Sequence, residues 1–273
     1  CLLVFLLVAC GNEKKKEDEK KNKEKWGQEF WLDDFFIQTR VDASKIDKNL
    51  IRANISGRWD LYEVKKLPSE FVEWSFNERI DSLEKIQKGK MPSLAGAHNG
   101  IVATYGYQRQ DSQFKLNNAI KGMGFLPKKE KLAEVIELLE TTQDKKVTEK
   151  LEILKKLYNQ GSEIWDISKL VSLELYSRPE RGTQTFLNQM NNPVSVIVFM
   201  DIPTYKLKTI SYLLHPQNSE LNDYEENVVK FVNLMHDYFH GESGNEFPPV
   251  IYNVIEVYNS SPNIEEGRGT RIE

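Results

Sequence analysis

Hydrophobic and polar positions change period several times along the chain, and each change predicts a new element. Within 171–216, Val171, Leu173 and Leu175 alternate with Ser172, Glu174 and Tyr176, the two-residue period of a strand with one buried face. Pro179 and Gly182 interrupt it. Thr183 is placed to cap a short helix whose Phe186, Leu187 and Met190 recur every three to four residues. Asn191, Asn192 and Pro193 end that helix. The run 194–200 is β-branched and almost continuously apolar, which predicts a core strand covered on both faces. Asp201 and Pro203 then turn the chain into a third strand over 205–214.

Helical periodicity dominates elsewhere. Phe71, Trp74, Ile80, Leu83 and Ile86 mark a helix over 68–86. After a run of small residues, Ala95, Gly96 and Ala97, Asn99-Gly100 is a hairpin-turn signal before a strand at 101–107. Such small residues allow close backbone approach to a ligand or to a neighbouring strand. Residues 116–120 are read as the start of a helix ending near Gly122 and Gly124. Leu132, Val135, Ile136, Leu138 and Leu139, then Leu151, Leu154 and Leu157, predict a helical hairpin insert over 128–160, broken at 141–144. Asn222, Asp223 and Glu225 open a helix over 224–240, and a strand follows at 250–258. Near the amino terminus Trp26, Phe30, Trp31, Phe35 and Phe36 are apolar anchors, ambiguous between helix and extended arm. Gly57-Arg58-Trp59 resembles the opening strand of lipocalin-like barrels, but no succession of short strands follows, so Gly57 is read as a turn residue and Trp59 as core. The pattern as a whole predicts an α+β fold: an antiparallel, barrel-like β core over 26–259 with the helical insert and flanking helices. The tail 260–273 is polar, ending free or folding across a site with Arg268 and Arg271.

Composition adds location. Residues 1–9 are largely apolar, too short to span a bilayer, and Leu7-Val8-Ala9-Cys10 resembles the lipobox of bacterial lipoproteins. That resemblance implies a truncated signal peptide, acylation of Cys10 by palmitate-type chains, and a lipid-anchored place in the bacterial cell envelope. Residues 10–25, rich in Lys, Glu, Asp and Asn, read as a solvated tether. No cysteine follows Cys10, which excludes a disulfide framework, a cysteine zinc site and cysteine catalysis in the domain. A net charge of −4 argues against nucleic acid. The expected partner is the membrane through Cys10. A protein partner, a homodimer and a small-molecule ligand stay open.

Candidate chemistry is sparse. His236 and His240 share a helix face at a spacing that can ligate a metal, without the glutamate of the metalloprotease motif. His98 and His215 lie at strand ends. No nucleophile elbow, Walker loop or dinucleotide fingerprint occurs. Arg178, Arg181 and Thr183 lie in a turn before a helix amino terminus, where backbone N–H groups and the helix dipole attract a phosphate or other anion. The segment from this Tyr176-Ser177-Arg178 turn, through Phe186-Leu187, to Asn192-Pro193-Val194 resembles the split-barrel flavin-binding fold of the pyridoxamine phosphate oxidase type. The resemblance implies a cofactor, FMN or heme, with Ser177, Arg178 and Thr183 on its phosphate or other anionic group. Two functions are therefore open: a ligand-binding or structural envelope lipoprotein, and a cofactor-associated split-barrel protein.

Overall fold

The computed structural model describes residues 26–265 and 268–273, so Cys10 and the tether lie outside the described residues. A 3-10 turn at Gln28–Phe30 leads into two-residue strands, β1 (Trp31–Leu32) and β2 (Phe35–Phe36), which form a small hairpin. Of the amino-terminal aromatics, Phe30 thus ends a 3-10 turn and Trp31, Phe35 and Phe36 are extended. Trp31 and Phe36 press on Phe186 and on the His215 ring, and Gln38 ties the arm to the core by bonding the carbonyls of Gln189 and Ser211.

β3 (Val41–Asp42), β4 (Leu50–Ile55) and β5 (Arg58–Glu63) make a separate three-stranded sheet. Ser56 and Gly57 both have positive φ in the two-residue turn between β4 and β5, so Gly57 acts as a turn residue. Trp59, expected in the core, is 40% exposed and lies under the Arg52 guanidinium. It alternates onto the outer face of an edge strand, a side that no second layer covers.

Helix α1 (Ser69–Gln87) follows as predicted. The main sheet begins with β6 (Asn99–Tyr105) and β7 (Leu116–Gly122), which pair antiparallel. Two expectations change here. Asn99 and Gly100 sit inside β6 rather than in a turn, because Gly100 lies where a Cβ would come within 2.7 Å of Ile197. The glycine serves close approach to a neighbouring strand. Residues 116–120, expected as helix, are strand: their polar and apolar side chains stand on an exposed edge, paired along their length with β6.

After Met123 come β8 (Gly124–Pro127), helices α2 (Leu132–Thr141) and α3 (Val147–Asn159), and β9 (Trp165–Leu173). The short α4 (Gln184–Asn191), β10 (Val194–Phe199), β11 (Tyr205–Leu213), α5 (Asp223–His240), β12 (Pro249–Asn259) and β13 (Thr270–Arg271) complete the chain. Thr183 caps α4 by accepting from the Phe186 N–H, and Asn222 with Glu225 forms a capping box on α5. Such caps contribute about 1 kcal/mol each. The tail does not end free: β13 pairs with β12.

The main sheet runs β7-β6-β10-β11-β12-β9-β8, with every pairing antiparallel. β7 and β8 stand at opposite ends of this order, yet only Met123 separates them in sequence. One residue cannot bridge a flat seven-strand sheet at roughly 4.8 Å per strand. The sheet must curl until its two ends meet, as a barrel does. An ion pair from Lys121 at the end of β7 to Glu174 just past β9, at 2.8 Å, fastens the seam.

Curling explains a further departure from the sequence pattern. The polar face of 171–176 was expected outside, but Ser172 and Glu174 are buried. They face an interior filled with bonded polar groups. Ser172 meets the Tyr252 hydroxyl at 3.2 Å, Ser195 meets Ser211 at 2.7 Å, and Gln189 of α4 reaches both of those serines. α4 thus plugs one end of the curl with Asn188 and Gln189, both fully buried. β10 alternates between fully and partly buried residues instead of being buried throughout.

The two helices of the insert part to different partners. α2 packs on α5, where Thr142 bonds Tyr238 and Lys230 pairs with Glu140. α3 packs on α1, where Lys155 pairs with Glu84. Phe76, Phe125, Tyr158, Trp165 and Phe231 join both helix pairs to the sheet through successive ring contacts. Among the described residues no helix is long and apolar enough to cross a membrane.

Candidate functional site

α1 and α5 stand apart over the seam, and a cavity of about 480 Å³ lies between them. Its shape follows from helical spacing. α1 contributes Arg79, Ser82, Leu83 and Ile86, which are i, i+3, i+4 and i+7 on one face. α5 contributes Val232, Met235, His236, Phe239 and His240 by the same rule. The floor is the 122–124 crossing with Phe125 and the end of β9, and His98 closes the side next to β6. The volume lies in the range of small-molecule sites, and the walls are mainly hydrocarbon and aromatic.

The one permanent charge of the lining is positive. Arg79 and three of the chain's four histidines reach the cavity, and no carboxylate does. Arg79 is 6% exposed. One terminal nitrogen, Nη2, donates to the Ala97 carbonyl at 2.8 Å, and the guanidinium carbon lies 5.2 Å from the Phe125 ring centre and 5.8 Å from that of Tyr158. Its Nε is buried without a hydrogen-bond partner. Burial holds the guanidinium below its ordinary pKa, opposed by the Tyr158 hydroxyl, yet an arginine stays charged under these conditions. Burying a cation costs several kcal/mol unless an anion offsets it. Ring faces offset part of that cost, about 0.5–2 kcal/mol per contact.

His98 Nδ1 is likewise buried and unpartnered. Burial, then the charge of Arg79, push the His98 pKa below that of free histidine. His240 is lowered by burial and by His236, whose ring centre is 4.9 Å away. His236 Nδ1 contacts Asp237 at 3.2 Å. Among the described residues no three His, Cys, Asp or Glu side chains are grouped to hold a metal, so the pair His236 and His240 has no third ligand there.

The predicted anion turn is built differently. Ser177 is buried, donates to Glu174 at 3.2 Å and accepts from the Thr183 N–H at 3.0 Å. Thr183 is occupied with capping α4. Arg178 and Arg181 close the turn by exchanging backbone hydrogen bonds, and both residues are exposed. The structure therefore brings Ser177 and Thr183 together, with the arginines at the tip. Both hydroxyls are engaged, and the nearest buried charge is the Glu174 carboxylate. His215 is distant in role: it is packed among Trp31, Phe35 and Phe36, and its Nδ1 accepts from the Gln217 N–H.

Another cleft, of about 340 Å³, surrounds Lys169, but that ammonium is already paired with Asp166 at 3.0 Å. Arg79 was missed in the sequence. Its signal was present: it falls three residues after Phe76 and four before Leu83, on the apolar face of α1, where a charge has to be explained.

No protein-family model matches the chain, and no curated protein is significantly similar to it. Among solved structures the chain is similar to a Clostridium acetobutylicum protein described as related to general stress protein 26 of B. subtilis, of the pyridoxinephosphate oxidase family. The match has 11% identity and a TM-score of 0.30, and covers 72% of this chain and 95% of that one. A likeness at that level assigns neither ligand nor activity to this chain.

Proposed function

We propose that the protein binds a small, largely apolar molecule in the cavity between α1 and α5. The observation that carries this reading is the cavity itself: about 480 Å³, walled by side chains such as Leu83, Ile86, Phe125, Met235 and Phe239, with a few convergent polar groups. Binding is a better match than catalysis, since no nucleophile paired with a base lines the wall.

Nile red, a neutral apolar dye, tests it. Its emission is expected to rise and shift to the blue on mixing with the protein, and to lose that response in Met235→Trp, which fills the space. No response, or a response untouched by the filling substitution, would refute the reading. The flavin or heme alternative is supported by the convergence of Ser177 and Thr183 at the start of α4, and weakened by Glu174 beside them. The same preparation, incubated with FMN or heme and desalted, is expected to be colourless. A retained band that disappears on changing Arg178 and Arg181 to Ala would favour the alternative.

The location is also a proposal, supported by the Leu7-Val8-Ala9-Cys10 pattern and the charged segment after it. Acylation at Cys10 would hold the binding domain at a bacterial envelope surface. Labelled palmitate is expected to enter the protein in cells and to be lost in Cys10→Ser; equal labelling of both proteins would exclude it.

A further inference from the structure

We infer that the ligand is a small monocarboxylic acid with a hydrocarbon body, its carboxylate set against Arg79 and its chain along Leu83, Ile86, Met235 and Phe239. This rests on the reading of the cavity as a ligand site and specifies the ligand's chemical class.

Three features of the wall lead to it. The lining carries the Arg79 cation and no Asp or Glu, so its field favours a negative group. The arginine is nine-tenths buried, with its Nε unbonded and no carboxylate in the lining, so the protein bears a desolvation cost that an anion would offset. A carboxylate suits the planar fork of guanidinium better than a point charge does. Along Leu83, Ile86, Met235 and Phe239 the wall is apolar, and no carboxylate or second Lys or Arg lines the cavity. A zwitterion would bury its cationic group with no carboxylate in the lining to pair with it. The Lys169 cleft lacks this combination, because its cation already has Asp166.

Decanoate and 1-decanol have the same chain and differ at the head group, so they separate this inference from the one beneath it. Each is titrated calorimetrically into the protein at neutral pH. Decanoate is expected to bind roughly ten- to a hundredfold more tightly than the alcohol, the range of a hydrogen bond to a charged group. Arg79→Met keeps the apolar stem and is expected to bring the two affinities together, while Arg79→Lys keeps part of the preference. If neither compound binds, the cavity is not a ligand site and both readings fail. If both bind alike, the cavity reading stands and the acid is wrong. A preference that survives Arg79→Met removes Arg79 from the head-group site. Should Arg79→Met not fold, decanoate labelled at its carboxyl carbon decides on the unaltered protein. Its bound carboxyl is expected to titrate below the free acid, and a midpoint at or above that of the free acid overturns the assignment.

Discussion

Lys121→Met is expected to destabilise the protein by about 3–5 kcal/mol, the cost of leaving one partner of a buried ion pair alone. Glu174 is 1% exposed and holds three donors: the Lys121 ammonium at 2.8 Å, the Ser177 hydroxyl at 3.2 Å and the Tyr176 N–H at 3.3 Å. Removing the ammonium leaves a carboxylate facing the interior with two neutral donors. Adding Glu174→Gln to Lys121→Met removes the stranded charge and is expected to recover most of the loss. Urea unfolding of the two variants measures both effects. The pair joins β7 to the end of β9, where the two ends of the sheet meet, so its loss also loosens the floor of the cavity. A single substitution costing under about 1 kcal/mol, the range of exposed pairs, would mean that the seam is wet and the pair superficial.

Stability is also expected to fall as the solution is acidified from about pH 6.5 to about pH 4, by on the order of 3 kcal/mol from His215 alone. Burial among Trp31, Phe35 and Phe36 pushes its pKa down to about 4, against a small opposing effect of Asp34. The neutral ring is what folding requires, since Nδ1 accepts from the Gln217 N–H. A histidine lowered in the folded state binds its proton more readily when unfolded. The stabilisation is therefore complete above the unfolded value and is lost as pH drops toward the folded one. His98 and His240, also lowered, act in the same direction. His215→Asn retains an acceptor for the Gln217 N–H and cannot titrate. Denaturant midpoints across this pH range are expected to slope less in the variant than in the parent. Parallel slopes would place the His215 ring in water.

Local elements were legible where one period ran unopposed. The stripe of α1, the Thr183 cap, the Asn222 and Glu225 box, and the strands at 205–214 and 250–258 each depend on residues within a turn or two of one another. Such contacts are written in the sequence. The misread segments share a different cause. Asn99-Gly100 has the composition of a turn, and only the approach of Ile197, far away in the chain, makes its glycine a strand residue. Residues 116–120 carry little periodicity and become strand because β6 offers a partner. Ser172 and Glu174 look like a solvent face until the sheet curls and turns that face inward.

The candidate site divides in the same way. In the 177–183 turn, whose residues are neighbours in sequence, Ser177 and Thr183 come together while Arg178 and Arg181 stand exposed at the tip. The cavity draws instead on α1, the crossing at 122–124, β9 and α5, segments that only the closed sheet brings together. By itself the sequence determined an α+β chain of antiparallel strands and capped helices, since propensity, capping and alternation act over a few residues. Tertiary structure decided the rest: which polar face is interior, which helices pair, and that an arginine without a carboxylate beside it faces an apolar cavity. Those outcomes depend on the joining of two sheet ends, a long-range contact that no local pattern encodes.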